Sequence, residues 1–246
     1  MDFSRDYLVH YYEADPLHRL SLPALVQYFE DIAILHSASK GFGLSYFDSN
    51  NCGWMLLKWD ITIRAMPNFG ETVTVGTRIH ALKGFRAERV FSLEAKDGTL
   101  LAEGRSNWLF VDTVRRRPAR IPESQYEYYG TARDNEASFV SIDDVPPVHD
   151  DCGSGLFSLT VRSAHHDIDT NRHVNNVSYI SWALDSLPGE FLEGKLPAAL
   201  RAHYRKELGN GCEARVLSSI DTSGLHTRHT VSTSDEECCS LEMDWR

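Results

Sequence analysis

The sequence predicts an α+β protein built from two consecutive copies of one module, each a long helix followed by a meander of antiparallel strands. Three observations predict it. A helical apolar period near the N-terminus gives way to four segments that alternate apolar and polar residues. The same order of elements returns in the second half. A polar stretch rich in proline and acid separates the two halves.

Leu22, Leu25, Val26, Phe29, Ile32, Ala33 and His36 recur at helical spacing, so residues 21–40 read as one amphipathic helix. Ser21 suits the N-cap, Pro23 the first turn and Gly41 the stop. Residues 55–65 read as a strand with Leu57, Trp59, Ile61 and Ile63 on one face. The turn Pro67-Asn68-Phe69-Gly70 leads to a second strand over 71–82, where Val73, Val75, Thr77 and Ile79 alternate. A third strand covers 85–95, Lys96-Asp97-Gly98 signals a hairpin, and a fourth covers 99–112.

The second half repeats this with a strand at 157–162 and a helix at 174–187, closed by Pro188-Gly189. A strand at 198–208, the turn Gly209-Asn210-Gly211, and strands at 212–221, 225–234 and 238–245 follow. Laid over each other, the halves pair Tyr28 with Tyr179 and Ile63-Arg64 with Tyr204-Arg205. The expected boundaries are a first module at 1–121, a connection at 122–155 and a second module at 156–246. The connection carries Pro122, Pro146 and Pro147 with Asp134, Glu136, Asp143, Asp144, Asp150 and Asp151, and such an acidic run is ordinarily a solvated surface.

With 42% apolar residues among 246, the chain can fill a full core. Its formal charge of -10 argues against nucleic acid as a partner. The first residues lack a basic region followed by an apolar run, and no stretch reaches membrane-span length. Cys52, Cys152, Cys212, Cys238 and Cys239 are odd in number and show no Cys-x-x-Cys spacing. Neither a zinc ribbon nor a disulfide framework is supported, and a reducing cytoplasm is the expected compartment.

The chemistry gathers at residues 167–176. Asp169, Asn171 and His173 alternate with Thr170 and Arg172, so an extended chain would set an acid, a carboxamide and an imidazole on one face. They stand where a helix begins, and a helix start offers free N–H groups and partial positive charge. Two other readings remain open on these residues. One is a polar turn with an asparagine cap. The other is a metal site from His165, His166, Asp167 and Asp169, disfavoured because neighbouring histidines on a strand face opposite ways.

The run from Asp169 to Trp182, read as D-x-N-x-H-V-N-N-x-x-Y-I-x-W, resembles the signature of the acyl-acyl-carrier-protein thioesterases of plants and bacteria. Tyr204-Arg205-Lys206-Glu207 resembles that family's Y-R-R-E block. Asn107-Trp108-Leu109-Phe110, followed by Arg115-Arg116-Arg117-Pro118-Ala119-Arg120-Ile121-Pro122, resembles its strand and basic turn. The resemblance implies two tandem hot-dog modules, thioester hydrolysis releasing a free fatty acid, and no metal or cofactor. Plant members carry a cysteine after the glutamate, once taken for the nucleophile. Here the position is Leu208, which leaves glutamate and water.

On this resemblance Glu207 is the general base, Asn171 and His173 hold water and carbonyl in line, and Asp169 orients Asn171 or His173. The backbone N–H groups of Val174, Asn175 and Asn176 are the expected oxyanion donors. A carboxylate base near neutral pH asks for a partly apolar site. The implied partner is acyl carrier protein bearing a fatty acyl phosphopantetheine. An acidic chain would meet that acidic protein through a local basic patch, with Arg172, Arg205, Lys206, Arg115, Arg116 and Arg117 as candidates. The resemblance implies an acyl pocket mostly in the first module, with Leu25, Phe29, Ile32, Trp54 and Trp59 as candidates to line it, each of which reads first as plain core. The first module lacks the Asp-x-Asn-x-His set, with Asp15, Leu20 and Leu22 in that region. Other readings are an acyl-CoA thioesterase of the same fold and a non-catalytic acyl- or carrier-binding module. A monomer or a homodimer would satisfy the pairing of modules.

Overall fold

A computed structural model describes residues 1–129, 139–149, 155–234 and 236–246. Cys152 and the acids Asp134, Glu136, Asp150 and Asp151 lie outside them. The chain divides into two compact units, Met1–Trp59 with Arg64–Ile142, and Asp60–Ile63 with Asp143–Arg246.

The first unit holds β1 (Phe3–Leu8), a 3-10 turn (Tyr11–Glu13), α1 (Leu22–Ser39) and α2 (Leu44–Asn50). It continues with most of β2 (Cys52–Ile63), β3 (Thr72–Lys83), β4 (Arg86–Ala95), β5 (Leu100–Asp112), β6 (Arg117–Pro118) and α3 (Glu123–Tyr129). Its antiparallel sheet runs β1-β3-β4-β5, with β2 next to β5 and β6 also paired to β5. The hydroxyl of Ser21 accepts the Ala24 N–H at 3.3 Å and starts α1 as expected. Helix α1 lays Leu25, Val26, Phe29 and Ile32 in the core. The β4–β5 hairpin closes at Gly98, whose φ of +85° needs glycine.

The second unit holds β7 (Leu156–Arg162), a 3-10 turn (His165–Asp167), α4 (Asn176–Asp185), α5 (Gly189–Leu192), β8 (Pro197–Tyr204), β9 (Glu213–Ile220), β10 (His226–Ser232) and β11 (Glu237–Trp245). Its sheet runs β8-β11-β10-β9-β7, antiparallel throughout. Each unit is thus one long helix against an antiparallel sheet, with both sheets entered by a short strand ahead of the helix.

Several elements differ from expectation. The strand expected at 198–208 stops at Tyr204, because the Arg205 and Lys206 N–H groups both donate to Cys238 O (2.8 and 3.1 Å) and turn the chain away. The helix expected from 174 starts at Asn176. Strand β1 shows no apolar alternation and is mostly exposed, so it left no periodic signal. Part of the expected connection is structured. Helix α3 buries Gln125 and Tyr126, and Val145 and Val148 bury further on.

The second unit also contains a buried polar chain. Ser186 Oγ donates to Ala183 O, so Ser218 must donate to Ser186 Oγ (2.5 Å) and His229 Nδ1–H to Ser218 Oγ (2.6 Å). His229 Nε2 then accepts from Thr227, whose oxygen receives Trp245 Nε1–H (both 3.0 Å). This relay needs a neutral imidazole, and burial lowers the His229 pKa to about 3. His36 in the first unit is lowered to about 4, by burial and then by Arg89 beside it. Below pH 6.5 the unfolded chain takes up protons that these folded histidines refuse, so stability falls as pH drops from about 6.5 toward 4 and then 3. Urea midpoints measured across that range should decline for the native chain. A His229→Leu variant should be less stable at neutral pH by on the order of a few kcal/mol yet show a shallower acid slope.

Candidate active site

The two units build the approach to their helices in the same way. In the second unit Ala164 N–H donates to Asp167 Oδ2 (2.8 Å), Asn175 N–H to Asp167 O (2.7 Å) and Val174 N–H to Leu208 O (2.7 Å). In the first unit His10 N–H donates to Glu13 Oε2 (2.7 Å), Ser21 N–H to Glu13 O (2.9 Å) and Leu20 N–H to Pro67 O (2.8 Å). These bonds fix the correspondence residue by residue. Asp169 matches Asp15, Asn171 matches Leu17, His173 matches Arg19, and Glu207 matches Met66. Tyr179 therefore corresponds to Leu25, and Tyr28 to Trp182; the expected pairing of Tyr28 with Tyr179 is off by one helical turn.

Residues 169–173 are not extended. They form a tight turn in which Asp169 N–H donates to His173 O (2.9 Å) and Arg172 N–H to Asp169 O (3.0 Å), with Arg172 at φ +65°. The Asp169 carboxylate organises the turn. Its Oδ1 accepts the N–H groups of Asn171 (2.8 Å) and His173 (3.2 Å), and its Oδ2 accepts Asn171 Nδ2–H (3.2 Å). His165 and His166 sit in the preceding 3-10 turn rather than on a strand, and Asp167 is occupied in capping that turn.

Among the expected catalytic residues, His173 and Glu207 meet, with His173 Nε2 3.3 Å from Glu207 Oε2. Both side chains are about 30% exposed (31% and 27%), so water reaches them. Val174 and Leu208 beside them are buried, which makes the inner wall apolar. Asp169 joins Asn171 to this pair through the His173 backbone.

The oxyanion expectation needs correction. The Val174 N–H is bound to Leu208 O and the Asn175 N–H to Asp167 O, so neither is a free donor. Asn175 instead caps α4, its Oδ1 accepting Val177 N–H at 2.8 Å. Of the three expected donors, Asn176 alone has an N–H with no acceptor among the described residues.

The basic candidates also divide. Arg205 pairs with Glu237 (2.5 Å) and donates to Val145 O (3.2 Å), and Lys206 pairs with Glu236. Their charges are compensated locally by these glutamates. Arg172 is exposed at the tip of the 169–173 turn. Arg115, Arg116 and Arg117 are exposed at the β5–β6 turn, where Arg115 lies 3.5 Å from Asp112.

The expected acyl-pocket residues are core. Leu25, Phe29, Ile32 and Trp59 are fully buried, and the rings of Phe29, Trp59 and Phe91 pack with centroids 4.9–6.1 Å apart. Trp54 packs edge-on against Phe110 (4.9 Å) in a second cluster with Leu82 and Tyr126. A cleft of about 370 Å³ in the first unit is lined by Tyr7, Glu13, Tyr28 and Asp31. Two of its phenols are bound to its carboxylates, Tyr7 to Asp31 and Tyr28 to Glu13, both at 2.6 Å.

The chain resembles known proteins along nearly its whole length. Residues 1–129 match the model of the acyl-ACP thioesterase N-terminal domain, and residues 155–246 that of the C-terminal domain. A chloroplastic palmitoyl-acyl carrier protein thioesterase of Gossypium hirsutum is 28% identical over 257 residues, covering 97% of this chain and 59% of the relative. A chloroplastic dodecanoyl-[acyl-carrier-protein] hydrolase of Cinnamomum camphora is 23% identical over 257 residues, covering 99% and 67%. The chain spans between 55% and 59% of the length of three curated relatives it matches. A crystal structure from Lactobacillus plantarum, assigned as an oleoyl thioesterase, superposes with a TM-score of 0.90 at 27% identity, covering 99% of this chain and 95% of that one. The 12:0-ACP thioesterase from Umbellularia californica superposes at 0.84 with 24% identity, covering 99% and 96%, a likeness of fold. The architecture is that of two tandem hot-dog modules.

Proposed function

This chain belongs to the acyl-ACP thioesterase family, and from that premise we propose that it hydrolyses the thioester of an acyl-[acyl-carrier protein] to release a free fatty acid. The observation that carries this reading is the 3.3 Å approach of His173 to Glu207 in the second unit, set against Arg19 and Met66 at the matching places of the first. At these two places the shared backbone frame holds base-capable side chains in one copy and none in the other.

Glu207 takes a proton from a water molecule, whose oxygen attacks the thioester carbonyl. His173 fixes the glutamate and the water, and Asn171, held by Asp169, orients the carbonyl or the water from the turn. The Asn176 N–H at the first turn of α4 faces the charge that develops on the carbonyl oxygen. Collapse of the tetrahedral intermediate breaks the carbon–sulfur bond, and the proton passes from Glu207 to the departing thiolate. Leu208 in the position after the glutamate leaves water as the nucleophile. No residue in this sequence of steps calls for a metal or cofactor.

The first module takes up the acyl chain, as the family resemblance implies, although Leu25, Phe29, Ile32 and Trp59 are themselves core. The carrier protein docks on exposed arginines, Arg172 beside the site and Arg115 to Arg117 at the β5–β6 turn, rather than on Arg205 and Lys206, which Glu237 and Glu236 hold. A cytoplasmic setting remains part of this proposal, although relatives carry chloroplastic names. Among the described residues no helix is long and apolar enough to cross a membrane.

Matched acyl-CoA and acyl-carrier thioesters of graded length test the substrate class. The carrier thioester should show the higher kcat/KM. The double change Arg172→Glu with Arg117→Glu should raise KM for the carrier substrate about tenfold or more at low salt while sparing the CoA substrate. Equal kcat/KM for the two classes, and no effect of charge reversal, would favour an acyl-CoA thioesterase of the same fold. Binding without turnover at every length would favour the non-catalytic reading.

A further inference from the structure

Tyr179 projects from α4 and is 2% exposed. Its phenol oxygen accepts the Leu208 N–H at 3.2 Å and donates to Lys206 O at 3.4 Å. Those two peptide groups flank Glu207, one on each side. A single hydroxyl therefore spans the candidate base. The ring is fixed in turn by Trp182 and Tyr204, with centroids 5.4 and 5.8 Å away. Burial pushes the phenol pKa well above its usual range, so it stays a neutral donor at every working pH.

The first unit supplies an internal control. Its backbone makes the same turn: Leu20 N–H reaches Pro67 O, and Arg64 and Ala65 N–H both reach Leu101 O. The second unit's counterparts are Val174 N–H to Leu208 O, and Arg205 and Lys206 N–H to Cys238 O. Yet the first unit has Leu25 where Tyr179 stands, Pro67 where Leu208 stands and Met66 where Glu207 stands. It has neither the hydroxyl nor the N–H that would meet it. The turn therefore folds without the brace, and the brace occurs in the copy that carries the glutamate.

We infer that Tyr179 is a positioning residue for Glu207, holding the peptides on either side so that the carboxylate stays within reach of His173 and the attacking water. The inference rests on the reading of Glu207 as the base. Its effect follows from orientation: small displacements of a reacting group are expensive in rate, while substrate binding elsewhere is untouched.

The test compares four variants of the full chain by turnover per folded molecule. Tyr179→Phe removes the hydroxyl and keeps the ring. It should lower kcat by about tenfold or more while KM changes by less than about twofold, and should shift the acidic limb of the pH–rate profile. Leu208→Pro removes the donated N–H together with the buried leucyl side chain, using the residue the first unit tolerates there. It should lower kcat in the same way, and it answers the question should Tyr179→Phe fold poorly. Combining the two should cost little more than either alone, since both break one brace. A wild-type kcat and an unmoved pH profile in both single variants, alongside an inactive Glu207→Gln, would overturn the role of Tyr179. Turnover surviving in Glu207→Gln would instead remove the base itself, and the positioning role with it.

Discussion

Glu207→Gln is expected to lower kcat by about 10²- to 10⁴-fold, the range attached to a positioned general base. The change keeps the shape of the side chain and removes only its ability to take a proton. Glu207 is 27% exposed and lies in a turn fixed through backbone bonds to Val174 and Tyr179, so the amide should leave the fold intact. Thermal unfolding measured beside turnover separates the two effects. Near-normal kcat in a folded variant would mean that Glu207 is not the base and that its approach to His173 is incidental. The first unit makes that outcome unexpected on physical grounds, because an apolar Met66 satisfies the same turn at lower desolvation cost. A half-buried carboxylate facing an imidazole is not what the fold alone would select.

What the sequence made legible depended on whether a residue's role was local. The α1 helix was readable because its cap, its apolar stripe and its stop all lie within one continuous segment. Strands β3 to β5 were readable because each alternates and each meets a glycine turn. Strand β1 and helix α3 were not. The first is an exposed edge whose pairing with β3 is its main support, and the second is short and tyrosine-rich, held by burial of Tyr126. At the site, His173 stood out by its spacing from Asp169 and Asn171 and Glu207 by motif resemblance, while their 3.3 Å approach is a tertiary fact. The oxyanion expectation failed at Val174 and Asn175 for the same reason: their N–H groups are taken by Leu208 and Asp167, partners outside the segment. Alternation at 169–173 suggested an extended face, but one carboxylate collecting two N–H groups bends it into a turn. The match of the two halves was visible in element order. Its register, which sets Tyr179 against Leu25, is fixed by the backbone bonds around the helix starts.

That register turns Asp169 into a separable case. In both units one carboxylate oxygen builds the turn: Asp169 Oδ1 takes Asn171 and His173 N–H, and Asp15 Oδ1 takes Leu17 and Arg19 N–H (2.9 Å each). The second oxygen differs. Asp169 Oδ2 orients the Asn171 carboxamide, whereas Asp15 Oδ2 binds the Arg19 guanidinium at 2.9 and 3.1 Å. Asp169→Asn keeps an acceptor for the turn and presents an amide N–H₂ where Asn171 had its acceptor. It should therefore keep most of its thermal stability and lose about 10- to 100-fold in kcat. Asp169→Ala should lose the turn as well, costing about 1–2 kcal/mol together with a larger fall in kcat. Asp15→Ala should cost a similar amount of stability, about 1–2 kcal/mol, and leave turnover per folded molecule unchanged. Wild-type kcat in Asp169→Asn would show that the orientation of Asn171 does not matter to the reaction. A fall in turnover with Asp15→Ala as large as that with Asp169→Ala would mean that both aspartates act through stability alone. The expected pattern, a rate effect in one copy and a stability effect in both, is what one frame with a single working set of side chains requires.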